Sequence, residues 1–238
     1  MIYNKEINNF LSGNNYSGGV NAKVFFDSKR KKRIVNRLDF LENLVKNKTV
    51  IHFGFLDHNI QTIESKIKSN NWLHHRLIKS AKKCFGVDID SKLIKELKKR
   101  GYNNIYCFNI LKNKIPNEIT KIKFDYIILG EILEHIGNPQ IFLKNLKKLS
   151  AKEVVVTVPN AFYIGNFYNA LFSNESINSD HRFWFTPYTI SKLLSDNHFK
   201  LENIYFYSRI PKINFIMRNF LKKYPFFREG IIIIAKLK

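Results

Sequence analysis

The chain has 238 residues, 45% of them apolar and 14% aromatic, enough to bury a full hydrophobic core. Its 40 Lys and Arg against 19 Asp and Glu leave a formal charge of +21, which suits phosphates, acidic glycans or anionic surfaces, although the lysines are scattered over helix faces such as 92–99 in the manner of an ordinary solvated surface. Residues 1–10 lack the basic-then-apolar order of a secretory leader, and no apolar run approaches the roughly 20 residues of a membrane-spanning helix, so a soluble cytoplasmic protein is expected.

The first thirty residues are polar, with Ser17-Gly18-Gly19 before a basic run at 29–33, and read as an arm or lid, 1–32. Apolar residues Ile34, Leu38, Leu41, Leu44 and Val45 recur at helical spacing over 33–45, and 48–53 then turns β-branched and aromatic. The alternation continues with helix 71–83, strand 84–89, helix 91–100, strands 104–108 and 124–129, helix 139–149 and strand 153–158. Ser91 is a candidate N-cap and Gly101 a candidate C′ residue of the 91–100 helix. Strands that are nearly continuous in apolar residues and separated by helices indicate a doubly wound α/β domain with a mostly parallel sheet covered on both faces. Ligands of such sheets bind at the carboxyl ends of the strands.

After Pro159 an Asn- and aromatic-rich stretch runs to 186, followed by helix 187–197 and by strands 201–207 and 231–237, which are expected to pair antiparallel. No repeat or low-complexity linker divides the chain, so one domain is expected: core 48–158, acceptor lid 159–186, and a basic aromatic insertion at 209–229. Cys84 and Cys107 lie inside apolar runs rather than at metal-ligand or disulfide spacing, and read as small buried hydrophobes.

Polar residues close the strands in chain order. The first strand empties through His52 and Phe53 into Gly54-Phe55-Leu56-Asp57-His58, where a glycine lets backbone approach a ligand and Asp57 could accept hydrogen bonds. The second ends Gly86-Val87-Asp88-Ile89-Asp90. A carboxylate there can take both hydroxyls of a ribose, unless Asp90 or Ser91 merely caps the next helix. Asn109-Ile110 ends the third strand, where the amide could read an exocyclic amine of adenine or simply make a turn. The fourth runs into Gly130-Glu131-Ile132-Leu133-Glu134-His135, two carboxylates and a histidine; a helical turn would place Glu131 and His135 near one face.

This ordered set resembles the class I S-adenosylmethionine-dependent methyltransferases over about 50–158. Within them it is similar to small enzymes of bacterial capsule and O-antigen biosynthesis, through EILEHIGNP, VTVPN and DHRFWFT in that order. The resemblance implies S-adenosylmethionine as cofactor, with Gly54 under its methionine portion, Asp88 on the ribose, Asn109 at adenine between Ile89 and Ile110, and Glu131 bordering methionine and acceptor. The expected cofactor set is His52, Gly54, Asp57, His58, Asp88, Ile89, Asn109, Ile110, Gly130 and Glu131. Where the family carries Gly-x-Gly-x-Gly, this chain has Gly54-Phe55-Leu56-Asp57-His58; two glycines are missing, and Asp57 could still meet the cofactor ammonium.

Methyl transfer to a hydroxyl benefits from a base of near-neutral pKa, which favours histidine. His135 beside Glu131 is the first candidate and His181 the second, each with a structural reading beside it. A zinc site from His58, His74 and His75 has no recognised spacing, and no metal is expected. The 209–228 segment interleaves aromatic with basic residues, suiting either a membrane surface or a helical insertion packed on the domain. The expected function is methyl transfer to a hydroxyl or amine of a sugar, sugar nucleotide or phosphate-bearing precursor of surface polysaccharide. A nucleic-acid methyltransferase and a non-catalytic basic module on a degenerate scaffold are the alternatives.

Overall fold

A computed structural model describes residue 11 and residues 34–112, 114–208 and 214–237. The arm expected at 1–32 therefore lies outside the described residues apart from Leu11, which is buried in the core. The basic run at 29–33 lies outside them as well, and so do 209–213 of the basic insertion.

Helix α1 (Arg37–Leu44) leads into β1 (Thr49–Phe53). Then come α2 (Ile60–Lys68), α3 (Leu73–Ser80), β2 (Lys83–Asp88), α4 (Ser91–Lys99) and β3 (Ile105–Cys107). A short helix, α5 (Asn117–Thr120), precedes β4 (Lys123–Gly130), and α6 (Pro139–Leu146) precedes β5 (Ser150–Pro159). The remainder is α7 (Ile164–Leu171), α8 (Pro187–Asp196), β6 (Phe199–Tyr207), α9 (Phe215–Lys223) and β7 (Gly230–Leu237). Helices α2 and α7 were not expected from the pattern. The first starts where Asn59 accepts the amide of Thr62 at 2.8 Å, and the second, although Ile164, Phe167, Tyr168 and Leu171 recur at helical spacing, buries none of its residues.

The seven strands form one sheet in the order β3-β2-β1-β4-β5-β7-β6. The first five are parallel, and β7 inserts antiparallel between β5 and β6. This is the mostly parallel sheet with an antiparallel terminal pair that the resemblance implies. Alternate residues serve opposite faces: in β7, Ile231, Ile233 and Ala235 join the cluster under α6 and α8, while Ile232 and Ile234 join the one under α1 and α3. Burying an isoleucine contributes about 1.5–3 kcal/mol, so this run is a substantial part of the driving force.

Caps fix where chain leaves the sheet. Asp90, rather than Ser91, caps α4 by accepting the amides of Lys92 and Leu93, and Gly101 follows it at φ +92° as expected of a C′ residue. Cys84 is buried as expected and its thiol is pushed up to about 12 by burial. Cys107, by contrast, is exposed, because β3 is the edge strand.

Candidate active site

At the carboxyl ends of the parallel strands lies a cavity of about 910 Å³, and every residue of the expected cofactor and catalytic sets lines it. Gly54 closes β1 at φ +66°, and a Cβ there would stand 2.6 Å from Cδ1 of Ile132, so the position admits only glycine without a shift. The loop lacking the two other glycines is held in place differently. The Leu56 amide donates to Asp88 Oδ2 at 3.1 Å, and Trp72 Nε1 donates to the Phe55 carbonyl at 2.9 Å.

Asp88 is separated from capping, which Asp90 performs. Its Oδ1 accepts the Ile89 amide at 2.7 Å, and burial pushes its carboxyl up while the surrounding amides pull it down. A carboxylate offers about four acceptor sites, so capacity remains for a hydroxyl ligand. Ile89 beside it is 68% exposed on the cavity wall, whereas Ile110 is buried. Asn109 Oδ1 accepts the Leu111 amide at 2.9 Å, the turn role weighed against reading adenine. Asp57, on the cavity wall, pairs with Lys66.

His52 forms the floor rather than the wall. It is 2% exposed, and its Nδ1 stands 3.4 Å from Nδ1 of His74, which is itself within 3.8 Å of Cys84 Sγ. Burial, with Arg37 nearby, lowers His52 to about 3, and burial also holds His74 well below the usual range. His75 points elsewhere, to the Tyr102 hydroxyl at 3.2 Å. The conceivable His58, His74 and His75 zinc cluster is thus not assembled.

Glu131 corrects the helical-turn expectation. It has φ +56°, an uncommon conformation for a non-glycine residue, and the helical turn begins only at Leu133. Its carboxylate meets Arg37 Nη2 at 3.3 Å and the Tyr207 hydroxyl, which donates to it. Sequence reasoning missed both partners: Arg37 sits on a helix before the first motif, and Tyr207 ends β6. Helix α1 is docked by Arg76, which donates to Asp39 at 2.6 Å and to Glu42 at 2.9 Å.

His135 instead meets His181, their rings 4.7 Å apart and edge to face. Arg182 holds the two segments together, its amide donating to the Glu134 carbonyl at 2.8 Å and its Nε to the His135 carbonyl at 3.1 Å. Burial first, and His135 second, lowers His181. Glu134 is fully buried, and burial raises its carboxyl to about 8.

A second cavity, of about 740 Å³, shares Glu131, Pro159, Asn178 and His181 with the first, and takes Tyr163, Trp184 and Met217 from the segments beyond β5 and β6. Asn160 is fully buried and donates to the carbonyls of Phe226 and Arg228 at 2.6 and 2.8 Å. It ties the segment after β5 to the one before β7.

No family model and no curated protein matches the chain. Among solved structures it is similar to an S-adenosylmethionine-dependent methyltransferase from Archaeoglobus fulgidus, at TM-score 0.52 and 17% identity over 84% of this chain and 91% of that one. It is also similar to magnesium protoporphyrin IX methyltransferase from Synechocystis PCC 6803 with bound S-adenosylhomocysteine, at TM-score 0.55 and 14% identity over 84% and 82%. The small RNA methyltransferase HEN1 matches at TM-score 0.52 and 17% identity over 93% of this chain and 27% of that one. The likeness is one of fold, that of the class I methyltransferases.

Proposed function

We propose, from the premise of this class I fold, that the protein is an enzyme that binds S-adenosylmethionine and methylates a small hydroxyl- or amine-bearing acceptor. The single observation that supports this best is the convergence in one cavity of residues drawn from the ends of β1, β2, β3 and β4. Asp88 fits a ribose through its remaining acceptor sites, and Gly54 keeps the floor open where a Cβ would collide with Ile132. When bound, the cofactor supplies a methyl group on a sulfonium, whose neutral thioether is a good leaving group, so positioning does much of the work.

The chain's own residues then orient the acceptor and take its proton. Glu131, fixed by Arg37 and Tyr207, stands at the boundary of the two cavities, with His181 also lining both. His181, held below its ordinary value by burial, is neutral at pH 7 and so able to accept a proton. The 159–186 segment is the acceptor lid. Tyr163, Tyr168 and Trp184 offer ring faces and Asn166 and Asn169 amides, which favours a sugar, sugar nucleotide or phosphate-bearing precursor such as those of surface polysaccharide.

No helix among the described residues is long and apolar enough to cross a membrane. Helix α9, which gives Met217 to the groove, leaves Phe215 and Ile216 77% and 79% exposed and ends in Lys222 and Lys223. That combination favours peripheral contact with an anionic membrane surface. Sedimentation with phosphatidylglycerol but not phosphatidylcholine vesicles, reduced in Phe215→Asp/Ile216→Asp, is the expected result.

A nucleic-acid acceptor is the competing reading, favoured by the +21 charge and by the small RNA methyltransferase among the structural neighbours. Calorimetry with S-adenosylhomocysteine, followed by transfer of labelled methyl to sugar nucleotides and to RNA, tests both. Binding and labelling of the sugar nucleotides supports the leading reading; labelling of RNA alone replaces it; absence of cofactor binding leaves only a basic binding module.

A further inference from the structure

We propose that Glu134, His135 and His181 form a divalent-cation site at the boundary between the cofactor cavity and the acceptor groove, a role that takes the two histidines beyond that of candidate bases. One ligand atom from each, a carboxylate oxygen and two imidazole nitrogens, lies within 4.8 Å of the others. The set is not a chance meeting of exposed groups. Glu134 is fully buried, and neither carboxylate oxygen has a partner beyond its own backbone amide. Nδ1 of His181 is also buried without a partner. Buried polar atoms are ordinarily hydrogen-bonded, because desolvation otherwise goes uncompensated. Three buried atoms left unpaired, both Glu134 carboxylate oxygens and His181 Nδ1, with a ligand atom of His135 within the same 4.8 Å, therefore indicate a ligand that accepts lone pairs, which is a cation.

The fold holds the donors there from two directions. Leu133, fully buried, anchors the turn that carries Glu134 and His135, and Arg182 binds that turn's carbonyls through its amide and Nε, bringing in the neighbouring His181. Mixed imidazole and carboxylate donors suit manganese, iron, cobalt or zinc better than calcium or magnesium, which prefer oxygen alone. Three protein ligands leave coordination positions open. His181 lines both cavities, so such a position faces an acceptor entering the groove.

The inference rests on the methyltransferase reading for its consequence. An acceptor hydroxyl in an open position is acidified and loses its proton to solvent or to a free side chain. Its oxygen then forms the bond to the methyl carbon as the carbon–sulfur bond breaks, and the electron pair of that bond stays on sulfur. The cation is neither oxidised nor reduced.

The test uses the full chain with Mn²⁺ as probe, followed by equilibrium dialysis and electron paramagnetic resonance, with S-adenosylhomocysteine calorimetry in parallel. Saturable binding of one Mn²⁺ per chain is expected, with nitrogen hyperfine coupling, and with at least tenfold weaker binding in Glu134→Gln and in His181→Ala. Should the buried substitution fail to fold, His181→Ala, on an exposed segment, decides alone. Absence of saturable Mn²⁺ binding, or wild-type affinity in a folded His181→Ala protein, overturns the site. If S-adenosylhomocysteine still binds in that case, the methyltransferase reading survives. Mn²⁺ binding without S-adenosylhomocysteine binding would support the cation site and remove the reading built around it.

Discussion

Arg37, on the first helix, reaches across β1 to lie 3.3 Å from the carboxylate of Glu131 at the end of β4. The pair joins an element outside the parallel core to the residue whose backbone is held at φ +56°, and it is reinforced by the Tyr207 hydroxyl. Both ionic side chains are largely buried, so the guanidinium compensates the charge of a carboxylate held at the cavity.

If that pair acts as a unit, Arg37→Met and Glu131→Gln should reduce methyl transfer by similar factors, and the double variant should be little worse than either. A coupling of about 0.5–3 kcal/mol is the range for groups in one network. Strict additivity in a double-mutant cycle on kcat/KM would show that the contact does not serve catalysis.

Asp88→Ala should weaken S-adenosylhomocysteine by about 1–3 kcal/mol through loss of charge-assisted bonds. The same substitution frees the Leu56 amide, so the loop after Gly54 should also exchange its amide hydrogens faster. An unchanged calorimetric Kd in the folded variant contradicts the ribose assignment.

Gly54→Ala meets two obstacles, a positive φ and a Cβ placed 2.6 Å from Ile132 Cδ1. The backbone part alone costs about 1 kcal/mol or more, and the collision adds to it. The melting temperature should fall, and Ile132→Ala in the same chain should restore part of the loss, because it removes the contact but not the φ penalty. Complete restoration would mean that the backbone conformation carries no strain.

The buried pair His52 and His74 makes stability pH-dependent in a defined direction. Both are held below their ordinary value, His52 to about 3, so above about pH 6.5 neither the folded nor the unfolded chain protonates them appreciably. As pH falls from 6.5 toward 3 the unfolded chain takes up protons that the folded chain refuses, and stability is lost. By pH 5.5 the loss from His52 should be on the order of 1 kcal/mol, and His74 adds to it in the same direction. Urea midpoints at pH 7.5 and 5.5 for the wild type and for His52→Leu/His74→Leu check this; an equal decline in both would place the acid sensitivity elsewhere.

The strands and their order of motifs were legible before any coordinates, because a parallel sheet covered on both faces writes itself as separated apolar runs such as 124–129 and 231–237. Gly54, Asp88 and Glu131 were legible for the same reason, each lying where a strand stops, and His135 lies in the turn that follows. Local sequence determined the Asp90 cap less well, naming two neighbouring candidates that differ only in which side chain turns back on the helix.

What the tertiary structure alone decided is which charge meets which. Asp57 goes to Lys66, Glu131 to Arg37 and Tyr207, and Glu134 to the neighbourhood of His135 and His181, across separations of up to 94 residues, that between Arg37 and Glu131. Helical spacing predicted that Glu131 and His135 would share a face. The left-handed backbone at Glu131 keeps the helical turn from starting before Leu133, and no periodicity encodes one residue at φ +56°. Nor does spacing reveal that Asn160 is buried as a tie rather than offered to a ligand. Periodicity records burial, which is a property of elements; side-chain pairing depends on how elements from distant parts of the chain are brought together, and that is set only when the sheet closes in the order β3-β2-β1-β4-β5-β7-β6.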